Sequence, residues 1–163
     1  MRNFLQLMVF IFLATSTALA QGPTVNSSDN LPLVFVLGEH AEQYDAMTEQ
    51  YSNMLLDECK GDMQSAYSKW MGMLKEMEAY AKEINYDIDG IQIWMNVFWN
   101  KDGSVKHIAY YLKPESKVVP LDELTAFIKS FAKQYKFPVL AQNQYVHYGH
   151  AFFPTTPKRV AHK

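Results

Sequence analysis

Five histidines, one cysteine and a short run of acidic and amide side chains are the groups of this 163-residue chain most suited to metal binding or nucleophilic attack. His147 and His150 flank Tyr148 and Gly149, a spacing that brings two imidazoles together on a helix. The surrounding YVHYGHAFF is aromatic and β-prone, and on a strand that spacing sends the two rings to opposite faces. Neither a second spaced pair nor a neighbouring cysteine completes the tetrahedral set of a structural zinc. Asn85, Asp87, Asp89 and Gly90 match the first ligand positions and the turn glycine of an EF-hand calcium loop. The last ligand position, however, holds Asn96 instead of a glutamate, and a strand follows where a helix belongs. The segment therefore reads as a polar helix-to-strand loop using Asp and Gly for turn geometry. Cys59 lies in a helical pattern with no base beside it, Gly-x-Ser-x-Gly is absent, and the seven glycines are dispersed. No metal, cofactor or catalytic residue is assigned, and the chain is expected not to be an enzyme. A hydrolase would need a site assembled from residues distant in sequence.

The elements that would position a site begin after a leader. Arg2, the apolar run at 5–14 and Ala18-Leu19-Ala20 have the order of a secretory signal peptide, so residues 1–20 are expected to be removed and the protein exported to a periplasmic or extracellular space. The run is shorter than the roughly 20 apolar residues that span a bilayer, so no membrane anchor is expected after cleavage. Residues 21–30 read as a flexible polar leader containing a formal glycosylation triplet at Asn26, residues 31–154 as a single domain, and residues 155–163 as a loose basic tail. Fifteen basic and 17 acidic side chains, the latter scattered, disfavour nucleic acid as a partner. A lone cysteine leaves the fold to stand on its apolar core without an internal disulfide.

Periodicity then supplies the elements. Residues 33–37 are a short, continuous apolar run ending at Gly38, which reads as a buried strand. Tyr44, Met47, Tyr51, Met54 and Leu55 fall on one helical face, and Lys60-Gly61 closes that segment. Asp62 is placed to cap a longer helix whose apolar stripe is Met63, Ala66, Tyr67, Trp70, Met73, Leu74, Met77, Tyr80 and Ile84, giving an antiparallel helical hairpin. Ile91, Ile93, Met95, Val97 and Trp99 alternate into a hairpin whose turn is Asn100-Lys101-Asp102-Gly103, with Gly103 left-handed and Trp99 opposite Val105; a two-residue Asp102-Gly103 turn, the second choice, would shift the pairing by one. A third helix with Leu121, Leu124, Phe127, Ile128, Phe131 and Tyr135 inward follows Pro120. A last strand runs through 145–153, with Tyr145, His147, Gly149, Ala151 and Phe153 on one face and Val146, Tyr148, His150 and Phe152 on the other. The order β-α-α-β-β-α-β predicts an α+β fold, helices packed on an antiparallel sheet. Trp94 and Phe98 stand opposite Ile93, Met95 and Val97, so both faces of that strand need cover, and the helical hairpin is the layer expected to provide it.

The pieces IWMNVFWNKDGSVKHIAYY, LDELTAFIKSFAKQYKF and YVHYGHAFFP, covering residues 91–154, resemble the C-terminal domain of TonB energy transducers and related envelope proteins. The resemblance implies a module that recruits a partner by pairing a peptide with an exposed strand edge. By position that edge is the last strand, residues 145–153. Unlike a transducer, this chain has a cleavable-looking leader, no long Pro-rich spacer, and a strand and helices ahead of the shared part. The expected role is thus a non-catalytic interaction or scaffold domain with an envelope protein or peptide as partner. The alternative is a binder of a small apolar or peptidic ligand held near Trp70, Trp94 and Tyr110.

Overall fold

The computed structural model describes residues 30–156. The leader at 1–20, the Asn26 triplet and the tail from 157 lie outside the described residues. The elements are β1 (Val34–Val36), α1 (Ala41–Thr48), β2 (Asn53–Met54), α2 (Leu55–Glu58), α3 (Met63–Glu83), β3 (Gln92–Trp99), β4 (Val105–Leu112), α4 (Leu121–Gln134) and β5 (Tyr145–Phe152).

The fold is α+β, and its five strands form one sheet in the order β1-β4-β3-β5-β2. The antiparallel expectation is corrected to a mixed sheet: β3 pairs antiparallel with β4 and β5, while β1 runs parallel to β4 and β2 parallel to β5. The apolar run of β1 explains its place, because Val34 is buried in the core of one face and Phe35 in that of the other. A strand hidden on both sides needs no polar alternation.

The turn between β3 and β4 has the expected pairing, but the body of the hairpin is shifted by one, so that Trp94 faces Tyr111 where the expected register would set it opposite Tyr110. Trp99 faces Val105 with a bulge at Phe98 and Trp99, Gly103 N–H donates to Asn100 O, and Gly103 has φ 82°. Gly103 is constrained a second time, since a Cβ there would collide with the Phe137 carbonyl. Phe137 N–H donates to Gly103 O at 2.8 Å and Lys136 pairs with Asp102 at 3.1 Å, clamping the turn to the segment that leaves α4.

The helical hairpin requires correction. Asp62 caps α3 through the N–H groups of Gln64 and Ser65, but the segment before it is broken into α1, β2 and α2. Its apolar residues serve different faces: Met47 and Tyr51 pack with Phe98 on one side of the sheet, and Leu55 is buried in the core on the other. One straight helix cannot present residues four apart to two sides of a sheet. The chain instead rounds the outer edge of β5, pairing Asn53 and Met54 with Tyr145 and Val146 as it passes. Asp57 then restarts the helix by accepting the Met54 N–H at 2.7 Å.

Two layers result. α3 and α4 cover the β3 face carrying Ile93, Met95 and Val97. On the opposite face α1 and the turn after it cover Phe98, whose ring meets Tyr51 edge-on at 4.9 Å. The expected two-sided cover therefore holds for Phe98 but not for Trp94, beside which Tyr111 and Phe152 remain 40% and 46% exposed.

At the end of β5 the chain is tied back to α3. Thr155 donates to Glu78 from its N–H at 2.9 Å and its hydroxyl at 2.7 Å, and Lys82 donates to the same carboxylate at 2.8 Å. Burial pushes the Glu78 carboxyl up, but these donors outweigh it and bring it from 4.5 down to about 2. A depressed carboxylate stabilises the fold above pH 4.5 and loses that contribution as pH falls toward about 2. Glu78→Gln is expected to cost about 1–2 kcal/mol at neutral pH. In urea titrations across pH, the variant should lose less stability than the parent over that acid range.

Candidate functional site

The last strand is the natural place to begin, and the structure divides the nine residues expected to form an open edge. Tyr145 is fully buried, stacks on Trp99 and donates its hydroxyl to Val139 O at 3.0 Å. Tyr145 and Val146 already pair with β2. Phe153 points into the core, and its main chain is spent on Ile91 and Gly90. Among the described residues the edge without a strand partner is therefore His147 to Phe152, a correction to the longer span. Sequence reasoning missed β2 because two residues carry no alternation to read.

Main-chain direction along this edge follows from alternation. Phe153 N–H donates to Ile91 O and its carbonyl accepts from Gly90 N–H, so odd-numbered residues turn their main chain toward β3. The even-numbered ones turn outward, as the His150 carbonyl confirms by accepting from Trp70 Nε1 at 3.2 Å. The N–H and C=O of Tyr148 share that outward direction.

Trp70 is what α3 contributes. Its indole lies against Gly149, where an added Cβ would sit 3.0 Å from two ring carbons and 2.9 Å from His147 Nε2. The His147 ring packs on the indole with centroids 4.7 Å apart. Glycine in mid-strand thus has a packing reason, the close approach of a tryptophan to backbone. Beside this contact runs an apolar groove of about 260 Å³ lined by Met54, Met63, Tyr67, Trp70, His147 and Tyr148, among others, none of them carboxylate or ammonium. Met63 and Tyr67 are 70% and 60% exposed on its rim. Long apolar side chains held open at a groove mark a contact surface more than a core.

The alternative pocket is not assembled. Trp70 projects from α3 onto one face of the sheet, Trp94 lies on the opposite face, and Tyr110 is fully buried with its hydroxyl bonded to Thr125 Oγ1 at 2.6 Å and donating to Leu121 O. Trp94 instead donates to Asn96 Oδ1 at 2.6 Å, and the Asn96 amide donates to the Tyr44 hydroxyl at 2.6 Å. That chain of hydrogen bonds satisfies a buried amide and pins α1 to the sheet. Trp94, Tyr111, His150 and Phe152 form an aromatic row on the uncovered end of this face, with the Lys113 ammonium 5.2 Å above the Phe152 ring.

The remaining chemistry-bearing residues stay apart. His147 and His150 occupy opposite faces, His40 packs edge-on to Phe35, and His107 Nδ1 donates to Pro32 O at 2.9 Å. Among the described residues no three His, Cys, Asp or Glu side chains converge as a metal site would require. Asp87 in the polar loop pairs with Lys117, and Cys59 is a buried free thiol. Asn100 and Asp102 both hydrogen-bond Ser104 within the turn. Comparison with protein-family models, with curated proteins and with solved structures finds no match.

Two tests follow from this packing. Gly149→Ala should displace the indole and cost about 1–3 kcal/mol, the range of overpacking in a well-filled site, with a shift in tryptophan emission. Burial pushes both His147 and His107 below the usual 6.5. The unfolded chain then binds protons that the folded one refuses, so stability falls as pH drops below about 6.5. Melting temperature should decline from pH 7.5 to 5.5, and less steeply in His147→Gln or His107→Gln.

Proposed function

We propose that this chain is a non-catalytic exported interaction domain that recruits an extended segment of an envelope protein by pairing it with the outer edge of β5. The observation that carries the reading is the edge from His147 to Phe152, which has no strand partner among the described residues and borders an apolar groove. An uncovered edge offers unpaired N–H and C=O groups as a template, and an adjoining pocket supplies the selectivity that main chain alone cannot. The chain's own β2 pairs with the same edge at Tyr145 and Val146, immediately before the open span, which supports the reading that the edge accepts a further strand. The resemblance of residues 91–154 to TonB C-terminal domains supports the same binding mode, and the leader-like start of the chain supports export.

The occupant is read as peptide because the edge presents paired donors and acceptors along a line, whereas a small apolar molecule would leave the Tyr148 groups unsatisfied. Selection of displayed random heptapeptides on the purified protein is expected to enrich alternating, β-prone sequences. Their binding should move the backbone amide resonances of 147–152. Tyr148→Pro removes the outward N–H at a position where an edge strand tolerates proline, and should abolish binding while the melting transition is retained. Equal affinity in a folded Tyr148→Pro protein would rule out strand pairing.

A further inference from the structure

We infer that the groove beside β5 is a selectivity pocket for one large apolar side chain of the bound segment without branching at Cβ, of the methionine, leucine or phenylalanine class. This rests on the strand-pairing reading above and specifies what that strand must carry.

The length of edge on offer comes first. β2 takes Tyr145 and Val146, and Trp70 Nε1 takes the His150 carbonyl. Between those two points Tyr148 presents its main-chain groups outward. Each bond made there contributes only a few-fold to about tenfold in affinity once exchange with water is counted. So short a ladder cannot by itself hold a partner, and a side-chain anchor has to supply the rest.

The groove fits that part. At about 260 Å³ it falls below the roughly 300–1,000 Å³ of small-molecule pockets, a size suited to one side chain. Its walls are thioether and ring: Met63, Tyr67 and Trp70 along one face of α3, Met54 from β2, and His147 from the edge itself. Methionines adapt to varied apolar shapes, which favours a class of anchors over one residue. No lining group carries a formal charge at neutral pH, so an acidic or basic side chain would lose its hydration without gaining an ion pair. Pairing also fixes the register. The ligand residue that lies opposite Tyr148 sends its side chain to the Tyr148 face in either strand direction, so an immediate neighbour turns toward His147 and Trp70 and is the one that enters.

The test uses blocked heptapeptides, six threonines around a central variable residue, titrated into the purified protein and followed by NMR. Central Met, Leu or Phe is expected to shift the Trp70 indole and His147 ring signals and to bind at least about tenfold tighter than central Ala, with central Asp weaker still. Met63→Glu and Tyr67→Ala, both at exposed positions, should erase that preference without lowering the melting temperature. N-methylation of the anchor residue, or in separate peptides of either neighbour, removes in turn each backbone donor that either strand direction could use and leaves the protein untouched, and one of these peptides should lose binding altogether. If the central residue has no influence while N-methylation still abolishes binding, the anchor is overturned and strand pairing stands. Indifference to N-methylation, or equal binding by N-acetylmethionine amide alone, overturns strand pairing and the anchor's register with it. Failure of every peptide to bind, or displacement of the same signals by self-association on concentration, overturns both.

Discussion

Everything in this fold answers to the central strand. β3 carries large apolar side chains on both faces, with Ile93, Met95 and Val97 on one and Trp94 and Phe98 on the other, so neither face can be left wholly to water. α3 and α4 serve the first. The second has only the short α1 and the turn after it, and the chain must then reach α3 on the far side of the sheet. It does so around β5, and that passage generates β2, leaves the rest of the edge unpaired, and brings Met54 to the groove beside Trp70. The candidate site is thus a by-product of covering β3 from two sides with a chain that has to change sides once.

Much of this was legible. The long amphipathic α3 with its Asp62 cap, the α4 stripe, and the β3–β4 hairpin with Gly103 all rest on local rules, periodicity of side chains and backbone sterics at a turn, and local rules are written in local sequence. The unread parts depended on distant residues. Tyr44, Met47, Tyr51, Met54 and Leu55 keep helical spacing, and nothing within the segment says that Tyr51 and Leu55 belong to different faces. That division is imposed by the sheet edge between them. The parallel placement of β1 is likewise a tertiary fact, since a run buried on both sides looks the same in either direction.

The site shows the same split. Trp70 was visible as an apolar position of α3, and Gly149 as an odd residue in an aromatic strand. Their relation was not visible, because it joins residues 79 positions apart through the absence of a side chain. A glycine inside a strand is the sequence signal that could have suggested it, read as a place where something bulky approaches the backbone. Trp94 and Tyr110 went astray for another reason: the register expected from the turn sets them opposite each other, and the bulge at Phe98 and Trp99 shifts the pairing by one and sends them to opposite faces.

The uncovered end of the second face carries its own safeguard. Trp94, Tyr111, His150 and Phe152 make a flat aromatic surface on a sheet, the kind of surface on which copies of a protein stack. Lys113 stands over the Phe152 ring, its ammonium 5.2 Å from the ring centroid and 3.9 Å from the Glu115 carboxylate, so a charged pair sits at the border of the rings. Two such faces brought together would have to take that pair out of water on each side, a cost that stacking bare rings does not carry. Charge at the border of an apolar sheet surface is the gatekeeper device, which lets aromatic rings stay in water without becoming an adhesive for further copies.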